Sequence, residues 1–220
     1  MRLTDLSFEQ WIEHAFSHEV RHQRNPWFFD PDPDRWDPKP AQAVDYLARL
    51  FEEPDRHLEW FTDAQIAQGL TYLVSTSASG DNGWLYSTEV PTADRLHCIE
   101  ATASLFEKLF APRCTPTLSH LSESGGPLNG VCYMWWDEFP CVALAVDPDR
   151  NTLHTAVLRT LDRILRMPSL PCQESALHGL GHWQQEYSGE VQRIIDDYEA
   201  KPQDAKLHLY AQSARCGCVL

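Results

Sequence analysis

The sequence predicts an all-α protein, in which antiparallel helix pairs stack into an irregular α-solenoid and a proline-rich arm lies extended near the N-terminus. Two observations predict this class. Apolar residues recur at the period of an amphipathic helix along most of the chain. The last four such segments are joined by short links with no strand pattern between them, which is typical of stacked helix pairs.

The composition favours a single globular domain. The 220 residues are 43% hydrophobic and 11% aromatic, which is enough apolar surface to build one sizeable core. We divide this domain into an N-terminal helix with the extended arm (1–40), a helical middle with long loops (41–148) and the C-terminal helix pairs (149–220).

The charge and the cysteines indicate the compartment and the partners. A net charge of −14 repels phosphate backbones and anionic membrane surfaces, so we expect neither nucleic-acid nor membrane binding. The chain has no run of roughly 18 apolar residues and no signal-peptide pattern. Seven cysteines without regular spacing favour reduced thiols. We therefore expect a cytoplasmic protein whose partner is a protein or peptide of basic character.

The first helix is predicted to run from Ser7, which forms a capping-box pattern with Gln10, to about Arg24. Three histidines follow one edge of this helix at four-residue spacing. Three imidazoles in one row cannot surround a metal ion tetrahedrally, so we interpret them as a polar helix edge. They are His14, His18 and His22.

Residues 25–40 form the predicted arm. Their five prolines exclude a regular helix and favour an extended path over the surface. Four aromatic side chains are expected to hold the arm against the core: Trp27, Phe28, Phe29 and Trp36.

Three helices are predicted in the middle of the chain. They begin at Pro40, Thr62 and Thr92, and the third is expected to end before Pro112. Residues 75–91 between the second and third helices are rich in Ser and Gly, which favours a long loop over a small hairpin.

The aromatic density of the chain peaks at 128–146, where helix and strand patterns compete and we favour a helix. Trp135 and Trp136 in this stretch are candidate binding residues that could line a groove together with Asp137. The alternative, which we favour, is core packing, because a tryptophan pair beside apolar neighbours is more often buried.

Residues 170–189 contain a helix that we expect to lie in the centre of the protein. Gly179 and Gly181 lie on the two flanks of its apolar face, and each costs roughly 1 kcal/mol relative to Ala. Close approach by neighbouring helices on both flanks is therefore expected. A further helix follows Ser188, and a last one is predicted from Pro202 to Gly217. The apolar face of the central helix consists of Ala176, Leu177, Leu180, Trp183 and Tyr187.

The region from about 152 to 217 resembles the HEAT-type helical repeats. The resemblance is carried by ALHGLGH at 176–182, VQRIID at 191–196, Pro202 and YAQSARCG at 210–217. It implies a scaffold that binds proteins or peptides. Similar short acidic members occur among uncharacterised bacterial proteins and among immunity proteins that neutralise toxins.

Glu174, His178 and His182 recur every four residues on one face of the central helix, and two imidazoles at this spacing can share a metal ion. These three residues are candidate metal ligands and candidate partner-binding residues. A further ligand would have to come from elsewhere, and Cys172 or His154 is available. The alternative, which is the more frequent use of such a stripe, is helix packing or capping.

Two functions follow from these observations. The leading hypothesis is a non-enzymatic scaffold without a cofactor, an immunity-type or regulatory binder of a basic partner, because phosphate-loop, dinucleotide-binding and nucleophile-elbow signatures are absent from the sequence. The rival hypothesis is a metal-dependent enzyme that uses Glu174, His178 and His182.

Overall fold

A computed structural model describes residues 2–21, 26–31, 34–75, 83–139, 143–201 and 204–219. The regular secondary structure of these parts is helical apart from two short strands, β1 (Arg2–Leu3) and β2 (Arg35–Trp36), which pair in parallel. The predicted all-α class is confirmed. The helices are α1 (Phe8–Phe16), α2 (Pro40–Glu52), α3 (Pro54–His57), α4 (Asp63–Val74), α5 (Thr92–Leu105), α6 (Ala111–Arg113), α7 (Pro127–Tyr133), α8 (Trp135–Glu138), α9 (Arg150–Leu165), α10 (Leu170–Glu199) and α11 (Ala205–Arg215).

The predicted helix starts are accurate where a capping box is present. Ser7 caps α1 and Thr62 caps α4, each with the reciprocal glutamine contact. The end of α1 was predicted too late, since the helix stops at Phe16. His18 explains the early stop, because its Nε2 bonds the carbonyl oxygen of His14 at 2.8 Å and so satisfies a last-turn carbonyl. His22 lies outside the described residues.

The described part of the arm is anchored by aromatic side chains. Trp27, Phe28 and Trp36 are buried, whereas Phe29 is 52% exposed. Residues 27–29 form a single 3-10 turn. The arm is therefore not extended throughout, because this turn closes its own backbone hydrogen bonds while Trp27 packs on His18 with ring centroids 3.6 Å apart.

Two predictions for the middle of the chain can be compared with the structure: the end of the third predicted helix and the helix favoured for 128–146. Helix α5 continues through a π turn (Phe106–Phe110) into α6, so it passes Pro112 instead of ending before it. The wider π turn leaves room for the proline ring beside the preceding turn. The helix favoured for 128–146 is present as α7 and α8 up to Glu138, whereas residues 143–146 form no helix. A hairpin at Asn82 cannot be described, since 76–82 lie outside the described residues.

Helix α10 is where two rows of helices meet. In one row α2 packs on α5, α5 on α9, and α9 on α10; in the other α1 packs on α4, α4 on α7, and α7 on α10. Helix α11 covers a further side of α10. The predicted central position of this helix agrees with these contacts. The predicted boundary at Tyr187 is a kink inside one 30-residue helix, with φ −125° and ψ 44° at that residue.

The two flanking glycines of α10 have different neighbours. A Cβ atom on Gly179 would lie 2.7 Å from Leu161 of α9 and 2.7 Å from the ring of Trp136 in α8. A Cβ atom on Gly181 would lie 2.5 Å from Val219, which follows the last helix. Close approach is therefore present at both glycines, but at Gly181 the neighbour is the C-terminal tail and not a helix.

Two further findings concern membrane-spanning helices and the cysteine thiols. None of the helices formed by the described residues is long and apolar enough to cross a membrane. The cysteines in the same part of the chain carry free thiols: Cys98, Cys114, Cys132, Cys172, Cys216 and Cys218.

Candidate metal centre

Helices α8 and α10 bring Asp137, His178 and His182 together. The Nε2 atom of His178 is 2.7 Å from Oδ2 of Asp137, and the Nε2 atom of His182 is 2.9 Å from Oδ1. The two Nε2 atoms are 3.1 Å apart. One carboxylate thus faces two imidazole nitrogens, and one atom from each side chain lies within 4.8 Å of the others. We call this group the triad.

The local sequence explains how α10 contributes two members of the triad. His178 and His182 are one turn apart, so both side chains project from the same face of the helix. Their rings lie nearly perpendicular, with centroids 4.7 Å apart and an interplanar angle of 86°. Such an arrangement directs both Nε2 atoms at a common point.

Asp137 reaches this point because α8 packs against α10 at a glycine. Met134, with φ −83° and ψ 7°, separates α7 from α8 and changes the chain direction. Trp136 then packs over Gly179, where any Cβ atom would collide with the indole ring. Because Asp137 follows Trp136 directly, this contact places the Asp137 carboxylate next to the two histidines.

The triad is buried on one side and open on the other. The side chain of His178 is 1% exposed, whereas those of Asp137 and His182 are 26% and 42% exposed. Burial lowers the pKa of His178, against the opposing effect of Asp137, and favours the neutral imidazole that binds metals. A ligand approaching from solvent can therefore reach the point at which the three side chains converge.

Two imidazoles and a carboxylate are a ligand set of Zn²⁺ and of other divalent transition metals. In a tetrahedral zinc site with bonds of about 2.0 Å, neighbouring ligand atoms lie about 3.3 Å apart. The distances of 2.7, 2.9 and 3.1 Å in the triad are slightly shorter, so a small outward movement of the side chains would admit an ion.

Further polar groups lie behind His178. Its Nδ1 atom is 2.8 Å from the hydroxyl of Tyr210 in α11, and that hydroxyl is 3.1 Å from the hydroxyl of Tyr133 in α7. The Tyr210 ring is stacked on His120, with centroids 4.1 Å apart and an interplanar angle of 14°. Partners of this kind commonly fix the orientation and tautomer of a metal-binding histidine.

Glu174 lies outside the triad, although it shares the helix face with the two histidines. Its carboxylate accepts hydrogen bonds from the backbone N–H groups of Ser119 (3.0 Å) and His120 (2.8 Å), and from Nδ1 of His120 (2.6 Å). These donors belong to the turn at Ser119–Leu121 and satisfy a carboxylate that is 1% exposed. The predicted ligand set is corrected here, because Asp137 supplies the carboxylate next to the histidines.

The other proposed ligands lie elsewhere. The thiol of Cys172 is buried and faces the carbonyl oxygen of Phe106 at 4.0 Å. The Nε2 atom of His154 accepts a hydrogen bond from the backbone N–H of Ala143 at 3.0 Å, and its Nδ1 atom is 2.9 Å from the hydroxyl of Tyr187. Neither side chain can reach the triad without breaking these contacts.

The tryptophan pair serves packing, the alternative that the sequence favoured. Trp135 and Trp136 are 0% and 6% exposed. Trp135 also borders a cavity of about 760 Å³ between α4 and α7, beside Val131 and Met134. The triad residues are not among those that line this cavity, so it is a separate feature of the molecule.

Sequence reasoning missed the importance of Asp137 and Tyr210 for this site. Asp137 was noted beside the tryptophans, but it precedes His178 by 41 residues and Tyr210 follows it by 32. No spacing rule connects residues so far apart. The available signal was a carboxylate in an aromatic-rich helical stretch, which is too common to identify a ligand.

Comparison with known proteins gives no match to a protein-family model, a curated protein or a solved structure. The resemblance to HEAT-type repeats stays a prediction.

Proposed function

We propose that the protein is a metal-dependent enzyme in which Asp137, His178 and His182 hold a divalent transition-metal ion, with Zn²⁺ as the first candidate. The observation that carries this proposal is the convergence of one carboxylate and two Nε2 atoms, all within 3.1 Å of one another in sequence-distant elements. The two histidines of the rival hypothesis remain as ligands, and Asp137 replaces Glu174 as the carboxylate ligand.

The alternative to a metal ion is hydrogen bonding among the three side chains. If both imidazoles carried hydrogen on Nε2, each could donate to one oxygen of Asp137, and the two nitrogens at 3.1 Å would share no hydrogen bond. If only one imidazole carried it, the lone pair of the other Nε2 atom would face an oxygen of Asp137. A metal ion instead uses the lone pairs of all three groups at once. The short nitrogen-to-nitrogen distance therefore supports the ion.

The open side of the triad supports a catalytic role for the ion. Structural zinc sites are closed by four protein ligands, whereas catalytic sites keep three and leave a position for water. A Zn²⁺ ion held by Asp137, His178 and His182 would act as a Lewis acid and would activate a water molecule for attack at neutral pH. We therefore propose a hydrolytic reaction, and the net charge of −14 favours neutral or cationic substrates.

Metal analysis of protein purified without a histidine tag tests the proposal. After equilibration with Zn²⁺ and removal of free metal, we expect close to one ion per chain in the wild type. His178→Ala and Asp137→Ala should lose the ion. His97→Ala is the matched control, since His97 forms an exposed pair with Glu52 away from the triad. Less than about 0.2 ion per wild-type chain would contradict a metal site.

A second candidate function is the protein- or peptide-binding scaffold. It is supported by the cavity of about 760 Å³ between α4 and α7, whose lining includes the apolar Val131 and Met134. The packing of α10 along both α9 and α11 supports the HEAT-like arrangement that such a scaffold would use. Free thiols support the cytoplasm as its location.

Binding of basic amphipathic peptides tests this second candidate. We expect calorimetric titration to detect binding to the wild type and its loss in Val131→Glu, which places a charge in the cavity. Leu144→Glu is the control, because Leu144 is already 53% exposed and does not line the cavity. Equal binding by both variants would show that the cavity is not the peptide site.

A further inference from the structure

Tyr210 is the residue through which α11 contacts the triad. Its hydroxyl lies 2.8 Å from Nδ1 of His178, and the ring of His120 stacks on the Tyr210 ring. His120 is itself held by Glu174 through a 2.6 Å contact at Nδ1. The carboxylate of Glu174 thus acts on the position of Tyr210 through one stacked imidazole.

The tautomer of His178 determines whether it can bind a metal. A neutral imidazole carries one hydrogen, and a metal-binding Nε2 must keep its lone pair, so the hydrogen has to be on Nδ1. Without a partner at Nδ1, the hydrogen would be drawn to Nε2 by Asp137, which is 2.7 Å away. That tautomer would block metal binding.

Tyr210 supplies the partner that holds the hydrogen on Nδ1. The phenol oxygen can accept the Nδ1–H bond while its own O–H is donated to Tyr133, at 3.1 Å. In this arrangement Nδ1 of His178 donates to the Tyr210 hydroxyl, and the Tyr210 hydroxyl donates to that of Tyr133. The rings of Tyr210 and His120 are parallel to within 14°, so the hydroxyl is held in place by packing as well.

We infer that Tyr210 is a positioning residue for the metal site, which fixes His178 with hydrogen on Nδ1 and leaves Nε2 free for the ion. This inference rests on the proposed metal site. Helix α11, which contributes no ligand, is then needed for the affinity of the site, and the buried Glu174 and His120 hold Tyr210 in register.

Two variants of matched chemistry test the inference. Tyr210→Phe keeps the ring that stacks on His120 and removes the hydroxyl that contacts His178. Tyr187→Phe removes a hydroxyl that lies 2.9 Å from Nδ1 of His154, a histidine outside the triad. We expect the dissociation constant for Zn²⁺ to rise about 10- to 100-fold in Tyr210→Phe and to stay near the wild-type value in Tyr187→Phe.

Spectroscopy separates positioning from a general loss of structure. In the Co²⁺-loaded protein, the visible absorption bands should shift in Tyr210→Phe and stay unchanged in Tyr187→Phe. In the metal-free wild type, long-range ¹H–¹⁵N spectra should show the hydrogen of His178 on Nδ1, although Asp137 lies 2.7 Å from Nε2. This last measurement needs no variant, so it decides the question even if Tyr210→Phe does not fold.

The outcomes distinguish this inference from the metal proposal. Equal Zn²⁺ affinity of Tyr210→Phe and the wild type would overturn the positioning role and leave the metal site intact. Hydrogen on Nε2 of His178 in the metal-free protein would overturn it as well. If the wild type binds no metal, the metal proposal fails and the positioning role fails with it.

Discussion

At the scale of single residues, the partly buried histidines make the protein sensitive to pH. His14 lies beside the ring of Trp27, and its Nε2 is 3.4 Å from the hydroxyl of Tyr72. Burial, with a smaller contribution from His18, lowers the pKa of His14 to about 4. In the unfolded chain the same side chain has a pKa of about 6.5. Between these values the unfolded state binds more protons than the folded state.

We predict that acidification from pH 7 to pH 5 lowers the free energy of unfolding less in His14→Gln than in the wild type. Below about pH 6.5 the imidazole of the unfolded chain binds a proton while that of the folded protein stays uncharged, so stability is lost as the pH falls from about 6.5 towards about 4. The expected difference between the two proteins is about 1 kcal/mol, allowing for solvent screening of a partly exposed side chain. Urea denaturation at both pH values measures it. Identical losses in both proteins would show that His14 is not responsible.

At the scale of elements, the contact between α8 and α10 decides whether a site forms. Gly179 is the point at which the two helices touch, because its missing side chain leaves room for Trp136. The same contact carries Asp137 to the histidines. A change at Gly179 should therefore affect stability and metal affinity together.

We predict that Gly179→Ala lowers the free energy of unfolding by about 1–3 kcal/mol, because the new methyl group would overlap Leu161 and Trp136. It should also weaken Zn²⁺ binding, since α8 must move away from α10. Gly130→Ala in α7 is the matched control. Nothing lies within 4 Å of the position of its Cβ, so the better helix propensity of Ala should stabilise the protein by up to about 1 kcal/mol.

Urea midpoints and Zn²⁺ titrations of both glycine variants measure these effects. If Gly179→Ala raised the midpoint as Gly130→Ala is expected to do, the close approach of α8 would be wrong. Gly181→Ala should give a smaller loss than Gly179→Ala, because the side chain in its way is Val219, which lies outside the helices and is easier to displace than Trp136 of α8 or Leu161 of α9.

At the scale of the whole molecule, the proposed metal ion would bridge two parts of the fold. Asp137 belongs to α8, which follows α7 in the row that begins at α1, whereas the histidines belong to α10, where the rows meet. An ion bound to both elements binds the folded chain and not the unfolded one. Its binding free energy therefore adds to the stability of the fold.

We predict that Zn²⁺ at about 100 times its dissociation constant raises the melting temperature of the wild type by about 5–10 °C, corresponding to about 2.7 kcal/mol in a protein of this size. The shift should be absent in His182→Ala and should be reversed by a chelator. Thermal unfolding with and without Zn²⁺ measures it. The same shift in His182→Ala would mean that the ion binds elsewhere.

The sequence by itself determined the features that depend on neighbours within one helical turn. The period of apolar residues determined the all-α class, and the capping boxes at Ser7 and Thr62 determined two helix starts. Four-residue spacing likewise placed His178 and His182 on one face. These predictions succeed because a helix repeats every 3.6 residues, so its faces can be read from local spacing alone.

Only the tertiary structure decided which side chains complete the site. Asp137, and not Glu174, faces the histidines because the contact of Trp136 with Gly179 sets the distance of α8, while backbone N–H groups of a distant turn bind Glu174. Tyr210 arrives on a third helix. Such contacts depend on how helices rotate and approach one another, which is governed by packing across the whole core, and no local period in the sequence records it.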